Sequence, residues 1–117
     1  MNSATRYVFF GIKVLLSLAF LGAGLSKLAG VEMMVETFGV IGLGQWFRYL
    51  TGLIEVGSVV LLWVPGFQAI GAGLLVCTMI GAVLSHILIL GPSAVPAIVL
   101  GVLACAILYQ NRTQLTR

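Results

Sequence analysis

Residues 45–109 are predominantly apolar, and two short turn-forming breaks divide them, Pro65-Gly66 and Gly91-Pro92-Ser93. The pieces between these breaks are each close to the ~20 residues that an α-helix needs to cross a bilayer. Connections this short force consecutive helices to run antiparallel, side by side. A water-soluble fold has too little polar surface to cover such a chain: 61% of the 117 residues are hydrophobic and 8% are charged. Lipid as the solvent removes the conflict. The sequence therefore predicts an all-α, polytopic membrane protein, one domain over residues 1–117.

The predicted architecture is a four-transmembrane-helix bundle with spans at residues 7–28, 45–64, 67–90 and 94–109 and a polar tail at 110–117. The first span is interrupted only by Lys13, near enough to its end to snorkel, and by Lys27 at the far end. Its apolar run of about 20 residues is longer than the core of a cleaved signal peptide, so it reads as a retained helix. Residues 31–43 are too short and too polar to span. Val31, Met34, Val35 and Phe38 fall at i, i+3, i+4 and i+7, opposite Glu32 and Glu36, the pattern of a short interfacial helix. Small residues recur every four positions at Ala69, Gly73, Cys77, Gly81 and Ser85, again at Ala97, Gly101 and Cys105, and around Ala19, Gly22, Ala23 and Ser26. Such stripes are expected to be close-packing faces. Trp46, Tyr49 and Trp63 suit the headgroup belts.

Four spans put both termini on one side. Arg6, Lys13, Arg112, Arg117 and the amino terminus gather there, while Lys27 and Arg48 on the other side are offset by Glu32 and Glu36. The positive-inside rule then predicts both termini in the cytoplasm, in a bacterial-type inner or plasma membrane. The positive charges are spread singly, so they make no nucleic-acid footprint. The two cysteines, Cys77 and Cys105, form no C-x-x-C; they read as packing positions, with a redox pair as the competing reading.

Glu55 is the chemical anomaly. It lies halfway along the second span, where a charge costs at least ~2.5–3.5 kcal/mol on insertion scales and so needs partners. Arg48 lies seven residues earlier, about 10 Å toward the outer face and nearly on the same side of the helix. Lys27 ends the first span on that side, and His86 lies about one turn from the outer end of the third. Lys27, Arg48, Glu55 and His86 are thus expected to form an outward-opening ligand or proton pocket with Glu55 at its floor. Read structurally instead, Glu55 is neutralised by one of these bases and simply joins helices, His86 is wetted by the headgroups, and Lys27 and Arg48 are snorkelling anchors. Two potential ligands, Glu55 and His86, fall short of a transition-metal site, which takes three or four.

Phe20-Leu-Gly-Ala-Gly-Leu-Ser-Lys-Leu-Ala-Gly30, then Phe38-Gly39, Gly52-Leu-Ile-Glu-Val-Gly57, Leu61-Leu62, Met79-Ile-Gly-Ala82 and Ser85-His86 together resemble the DoxX-like membrane proteins. The resemblance runs from the first span through the third. It implies a four-helix membrane bundle in which Lys27, Glu55 and His86 are the family's polar positions. It also implies an association with membrane oxidoreductases, since the founding members look like the small membrane subunit of a thiosulfate:quinone oxidoreductase. The chain carries no haem, flavin or iron–sulfur signature. The expected role is an accessory subunit of a quinone-linked complex rather than an enzyme on its own, with Lys27 and Arg48 holding a quinone head group or small anion and Glu55 and His86 exchanging protons. The partners expected are the bilayer and other membrane subunits or further copies of the chain. A small proton-coupled transporter and a non-catalytic scaffold are the alternatives.

Overall fold

The structure, a computed structural model, describes residues 2–91 and 93–116. Met1, Pro92 and Arg117, used above for the terminal charge and the second tight turn, lie outside the described residues. Among the described residues five α-helices predominate: α1 (Ser3–Ala29), α2 (Glu32–Ile41), α3 (Gln45–Leu62), α4 (Gln68–Ser85) and α5 (Val95–Gln110). A π-helical turn, His86–Leu90, continues α4, and a 3₁₀ turn, Arg112–Leu115, follows α5. No strand occurs among the described residues.

Local chemistry sets the boundaries. The Asn2 side chain accepts from the Thr5 amide at 2.8 Å and caps α1. Gly30 ends it in the left-handed region (φ 75°), its amide and that of Val31 both returning to the Ser26 carbonyl. Gly42 (φ 85°) ends α2 in the same way, through the Phe38 carbonyl. Pro96 lies in the first turn of α5, where a missing amide hydrogen costs nothing.

The four longer helices pack in cyclic order, α1 on α3, α3 on α4, α4 on α5 and α5 on α1. Their close approaches give the directions. Ser17 meets Trp63, and Gly24 meets Val56. Gly71 meets Ser58, and Gly101 meets Met79. From Ser17–Trp63 to Gly24–Val56 one residue number rises as the other falls, so α1 and α3 run antiparallel; the short connections after α3 and after α4 make those helices antiparallel to their neighbours as well. The core is a column of Leu16, Phe20, Val59, Leu62, Leu75 and Ile107 with Ala72, Met79, Ala97 and Ala104 between them. Outside it the surface is apolar: Leu18 is 68% exposed, Ile87 67% and Leu88 74%. An apolar shell that large suits lipid rather than water.

Two helices are long and apolar enough to cross a membrane, Ser3–Ala29 and the continuous helix Gln68–Leu90. α3, 18 residues, spans about 27 Å and α5, 16 residues, about 24 Å at 1.5 Å per residue. Gln45, Arg48 and Glu55 also break the apolar run of α3.

The close-packing positions match the predicted stripes only in part: Gly101 packs on Met79 and Ala69 and Ala97 are buried, but other stripe positions are open. An added Cβ at Gly81 or Gly22 would meet nothing, and one at Gly73 only the tip of Leu108 at 4.0 Å. The tight crossings are at Gly24, Gly52 and Gly71, where a Cβ would come within 2.8 Å of Val56, 3.0 Å of the Gly24 carbonyl and 2.7 Å of the Ser58 carbonyl respectively. A four-residue period drifts around a helix of 3.6 residues per turn, so a long stripe does not stay on one face. Cys77 and Cys105 are accordingly exposed and unpaired rather than packed in the core. In α2 the inward side is Met34, Thr37, Phe38 and Ile41, while Val31 and Val35 are exposed.

Arg48 ties three elements together. It is 5% exposed; Nη1 donates to the Lys27 carbonyl at the end of α1, and Nε donates to Gln45 Oε1 at 2.8 Å. Gln45 Nε2 in turn donates to the Val35 carbonyl of α2 at 3.1 Å. A guanidinium at a helix C-terminus satisfies a carbonyl that has no intrahelical partner and complements the helix dipole. At the other end of the bundle the tail folds back. Gln114 Oε1 accepts from the Ala69 amide at 2.9 Å, and Nε2 donates to Gln68 Oε1 at 2.6 Å.

Two stability outcomes follow for protein in detergent, read by circular dichroism during denaturant titration. Gly71→Ala should cost about 1–3 kcal/mol, because the new methyl has backbone on one side; Gly57→Ala, facing open space, should gain about 0.5–1 kcal/mol. Arg48→Met should cost about 1.5–3 kcal/mol for the lost charged hydrogen bonds, and Arg48→Lys should recover only part, since an ammonium cannot reproduce the fork.

Candidate functional site

Residues of α1, α2, α3, α4 and the π turn enclose a cavity of about 770 Å³. Its walls are mainly apolar, with Met34, Phe38 and Ile41 from α2, Phe47, Leu50 and Ile54 from α3, and Met79 and Ala82 from α4. Lys27, Glu55 and His86 supply its polar groups, with Thr37, Thr51, Thr78 and Ser85. The cavity exists because α2 is short and lies across α3 and the π turn. It roofs the gap between α3 and α4 without filling it.

Glu55 is 1% exposed, and its Oε1 lies 2.7 Å from Lys27 Nζ. The contact is a charge pair that lacks hydrogen-bond angles. It depends on backbone proximity. A Cβ on Gly24 would lie 3.3 Å from Glu55 Cβ, and one on Gly52 would lie 3.1 Å from Lys27 Cβ. Side chains on a helix lean toward its N-terminus. In an antiparallel pair the two therefore lean toward each other, Lys27 back along α1 and Glu55 back along α3, and meet beside the glycine crossing. The pair leaves no net charge at this point in the cavity.

His86 begins the π turn, which is closed by the Gly91 amide on the His86 carbonyl at 3.0 Å, with Gly91 at φ 84°. Its Nδ1 is buried and has no hydrogen-bond partner. Among the polar groups of the cavity it is therefore one with bonding capacity to spare. Single π turns recur at functional sites because they shift the register of the side chains beyond them.

Three of the four residues singled out in the sequence, Lys27, Glu55 and His86, line this one cavity; Arg48 does not. The seven-residue spacing from Glu55 places Arg48 on a nearby face, but its side chain turns to the carbonyl end of α1 instead. Phe38, Met34 and Thr51 also line the cavity without having been singled out. The Met34–Phe38 spacing in α2 was the available signal, since an apolar side on a short helix must rest against something. Among the described residues no three His, Cys, Asp or Glu side chains gather to hold a metal ion.

The DoxX-like family matches residues 11–109, a stretch that contains Lys27, Glu55, His86 and every other residue of the cavity. No curated protein and no solved structure matches the chain. With the match extending over most of the sequence and two helices of membrane-crossing length, the chain belongs to the DoxX-like family and is a membrane protein.

Proposed function

We infer that the chain is a quinone-binding accessory subunit of a membrane oxidoreductase, and that the cavity on Lys27, Glu55 and His86 takes the quinone head group. The observation that carries this reading is the cavity's combination of mainly apolar walls, a neutralised ion pair and one unpartnered imidazole nitrogen. Pockets for flat, apolar ligands have this form, with few polar groups that fix orientation. Lys27 is occupied by Glu55 and Arg48 by the Lys27 carbonyl, so neither offers an unpaired positive charge to an anion. A neutral carbonyl oxygen fits better: His86 Nδ1 can carry the donor hydrogen, and Lys27 Nζ has hydrogens beyond the one facing Glu55. Phe38 and Phe47, packed on each other at 5.9 Å between ring centres, add an aromatic wall. Electrons would come from the partner complex, and Glu55, with Lys27 beside it, would be the carboxylate nearest to any proton exchange.

This reading includes four crossings, with both termini cytoplasmic and the cavity facing outward. The cyclic packing of α3 and α5 between the two longer helices supports it. A helix a few ångströms short of the ~30 Å hydrocarbon layer is accommodated by local thinning or snorkelling.

Binding of a short-chain ubiquinone analogue to purified protein in nanodiscs, measured by calorimetry, tests the site. His86→Ala should weaken it about tenfold, the equivalent of one lost hydrogen bond of ~1.4 kcal/mol. Glu55→Gln or Lys27→Met alone should destabilise the fold by about 3–5 kcal/mol, and the double variant by less, because a lone buried charge is costlier than none. Equal binding by the wild type and His86→Ala, or none by either, would leave a scaffold as the better description. For topology, a C-terminal fluorescent-protein fusion should be bright and an alkaline-phosphatase fusion at the same point inactive; the reverse pattern inverts the bundle.

A further inference from the structure

A second cavity, about 550 Å³, opens at the opposite end of the bundle, between the start of α1 and the end of α5. Arg6, Tyr7, Phe9, Phe10, Lys13 and Gln110 line it. Arg6 and Lys13 are seven residues apart on α1, so they project from nearly the same side. The ammonium of Lys13 stands 4.3 Å from the centre of the Trp63 ring, on which Phe10 packs edge-on at 5.8 Å. Trp63 is fixed in turn by donating Nε1–H to Ser17 Oγ at 2.8 Å. Lys13 is thus held at the cavity by an aromatic shelf, not left to wander in solvent.

The charge here is unbalanced. The three acidic side chains of the whole sequence are Glu32, Glu36 and Glu55, two on α2 and one halfway along α3, paired with Lys27. None is near Arg6 or Lys13. The depth is also right. Arg6 and Lys27 are 21 positions apart on one helix, about 32 Å at 1.5 Å per residue, against a hydrocarbon layer of ~30 Å. With Lys27 near one interface, Arg6 lies at the level of the headgroups on the other. Lys13 lies about 10 Å deeper, and its side chain leans back toward the N-terminus of α1, which lifts the ammonium toward, though not up to, the level of Arg6.

We propose that this cavity binds the phosphate of an anionic phospholipid, Arg6 and Lys13 holding the phosphate oxygens and Phe9 and Phe10 packing on the glycerol and upper acyl chain. Two cations, an aromatic floor and no acid select a negative group with an apolar continuation. A zwitterionic lipid brings its own cation into the same space and is disfavoured. The site is independent of the quinone reading, since it shares no residue with the other cavity.

Native mass spectrometry of the detergent-solubilised protein, supplemented with phosphatidylglycerol or phosphatidylcholine, tests it. Phosphatidylglycerol should be retained and phosphatidylcholine lost at the same collision energy. Arg6→Gln should weaken retention roughly fivefold, and Arg6→Gln with Lys13→Gln by more, at about 1 kcal/mol per interfacial charge. Arg6 is exposed, so its single replacement leaves the fold intact even if the double variant proves unstable. Arg112→Gln, a cation that stacks on Tyr109 outside the cavity, should change nothing. Equal retention of the two lipids, or no effect of Arg6→Gln, overturns the proposal. Displacement of phosphatidylglycerol by millimolar glycerol phosphate would reassign the site to a soluble phosphate ester and also overturn it.

Discussion

The ion pair between Lys27 and Glu55 governs the rest of the molecule. Buried away from water, neither charge is tolerable alone, and together at 2.7 Å they are. That single requirement sets the distance between α1 and α3. The backbones must come close enough for the two side chains to meet, which is why glycine stands at 24 and 52, where each residue's missing Cβ makes room for the other helix. Replace either by a larger residue and the helices separate by the width of a methyl group; the charges then lose their contact in a medium where nothing else can replace it. Packing and electrostatics are here one constraint seen from two sides.

From this seam the other elements follow. Holding α1 to α3 brings the carbonyl end of α1 beside Arg48, and Arg48 through Gln45 fixes where α2 leaves the bundle. α2 then rests on α3 and the π turn, and the space it covers but does not fill becomes the cavity. The roof is lightly anchored: among the described residues its cross-element side-chain hydrogen bond is from Gln45 to the Val35 carbonyl. Helices with few buried side chains open most readily, and α2 buries one, Phe38. Entry of a ligand past α2 therefore asks for less disruption than entry between the tightly crossed α1 and α3.

The sequence disclosed this arrangement unevenly. Helical content and the membrane setting were plain in the length of the apolar runs and in the brevity of the breaks. The gathering of Lys27, Glu55 and His86 could be read from their distances to the span ends, because depth in a straight helix is a matter of counting. Rotation could not be counted so safely. The stripe from Ala69 to Ser85 was placed at the close-packed face, yet Gly71 is what meets α3, and Gly81 faces open space. Four-residue spacing cannot say which of two adjacent faces a neighbour will choose. Arg48 was misplaced for a related reason: its side chain turned to an unpaired carbonyl on another helix, and such a carbonyl is invisible until the helices are in position. The length of α3 and α5 raises the same point in another form, since polar residues within α3 lower its apolarity in the region where it builds the site.

The two cavities differ in a way that follows from charge accounting alone. Of the three side chains able to carry positive charge around the cavity on Glu55, Lys27 is matched by Glu55 and Arg48 is spent on a helix terminus, leaving the imidazole of His86 as the unpartnered group. Such a site rewards a ligand that is neutral and mostly apolar, and penalises an anion that would have to displace Glu55 from Lys27. At the far end Arg6 and Lys13 have no acid to meet, and the enclosing rings favour a ligand that is charged at one end only. An anionic ligand would find no unpaired cation beside Glu55, and a neutral one would leave Arg6 and Lys13 unmatched. A chain this short thus separates two kinds of recognition by the length of one helix, with the charged pair at its end deciding which kind falls where.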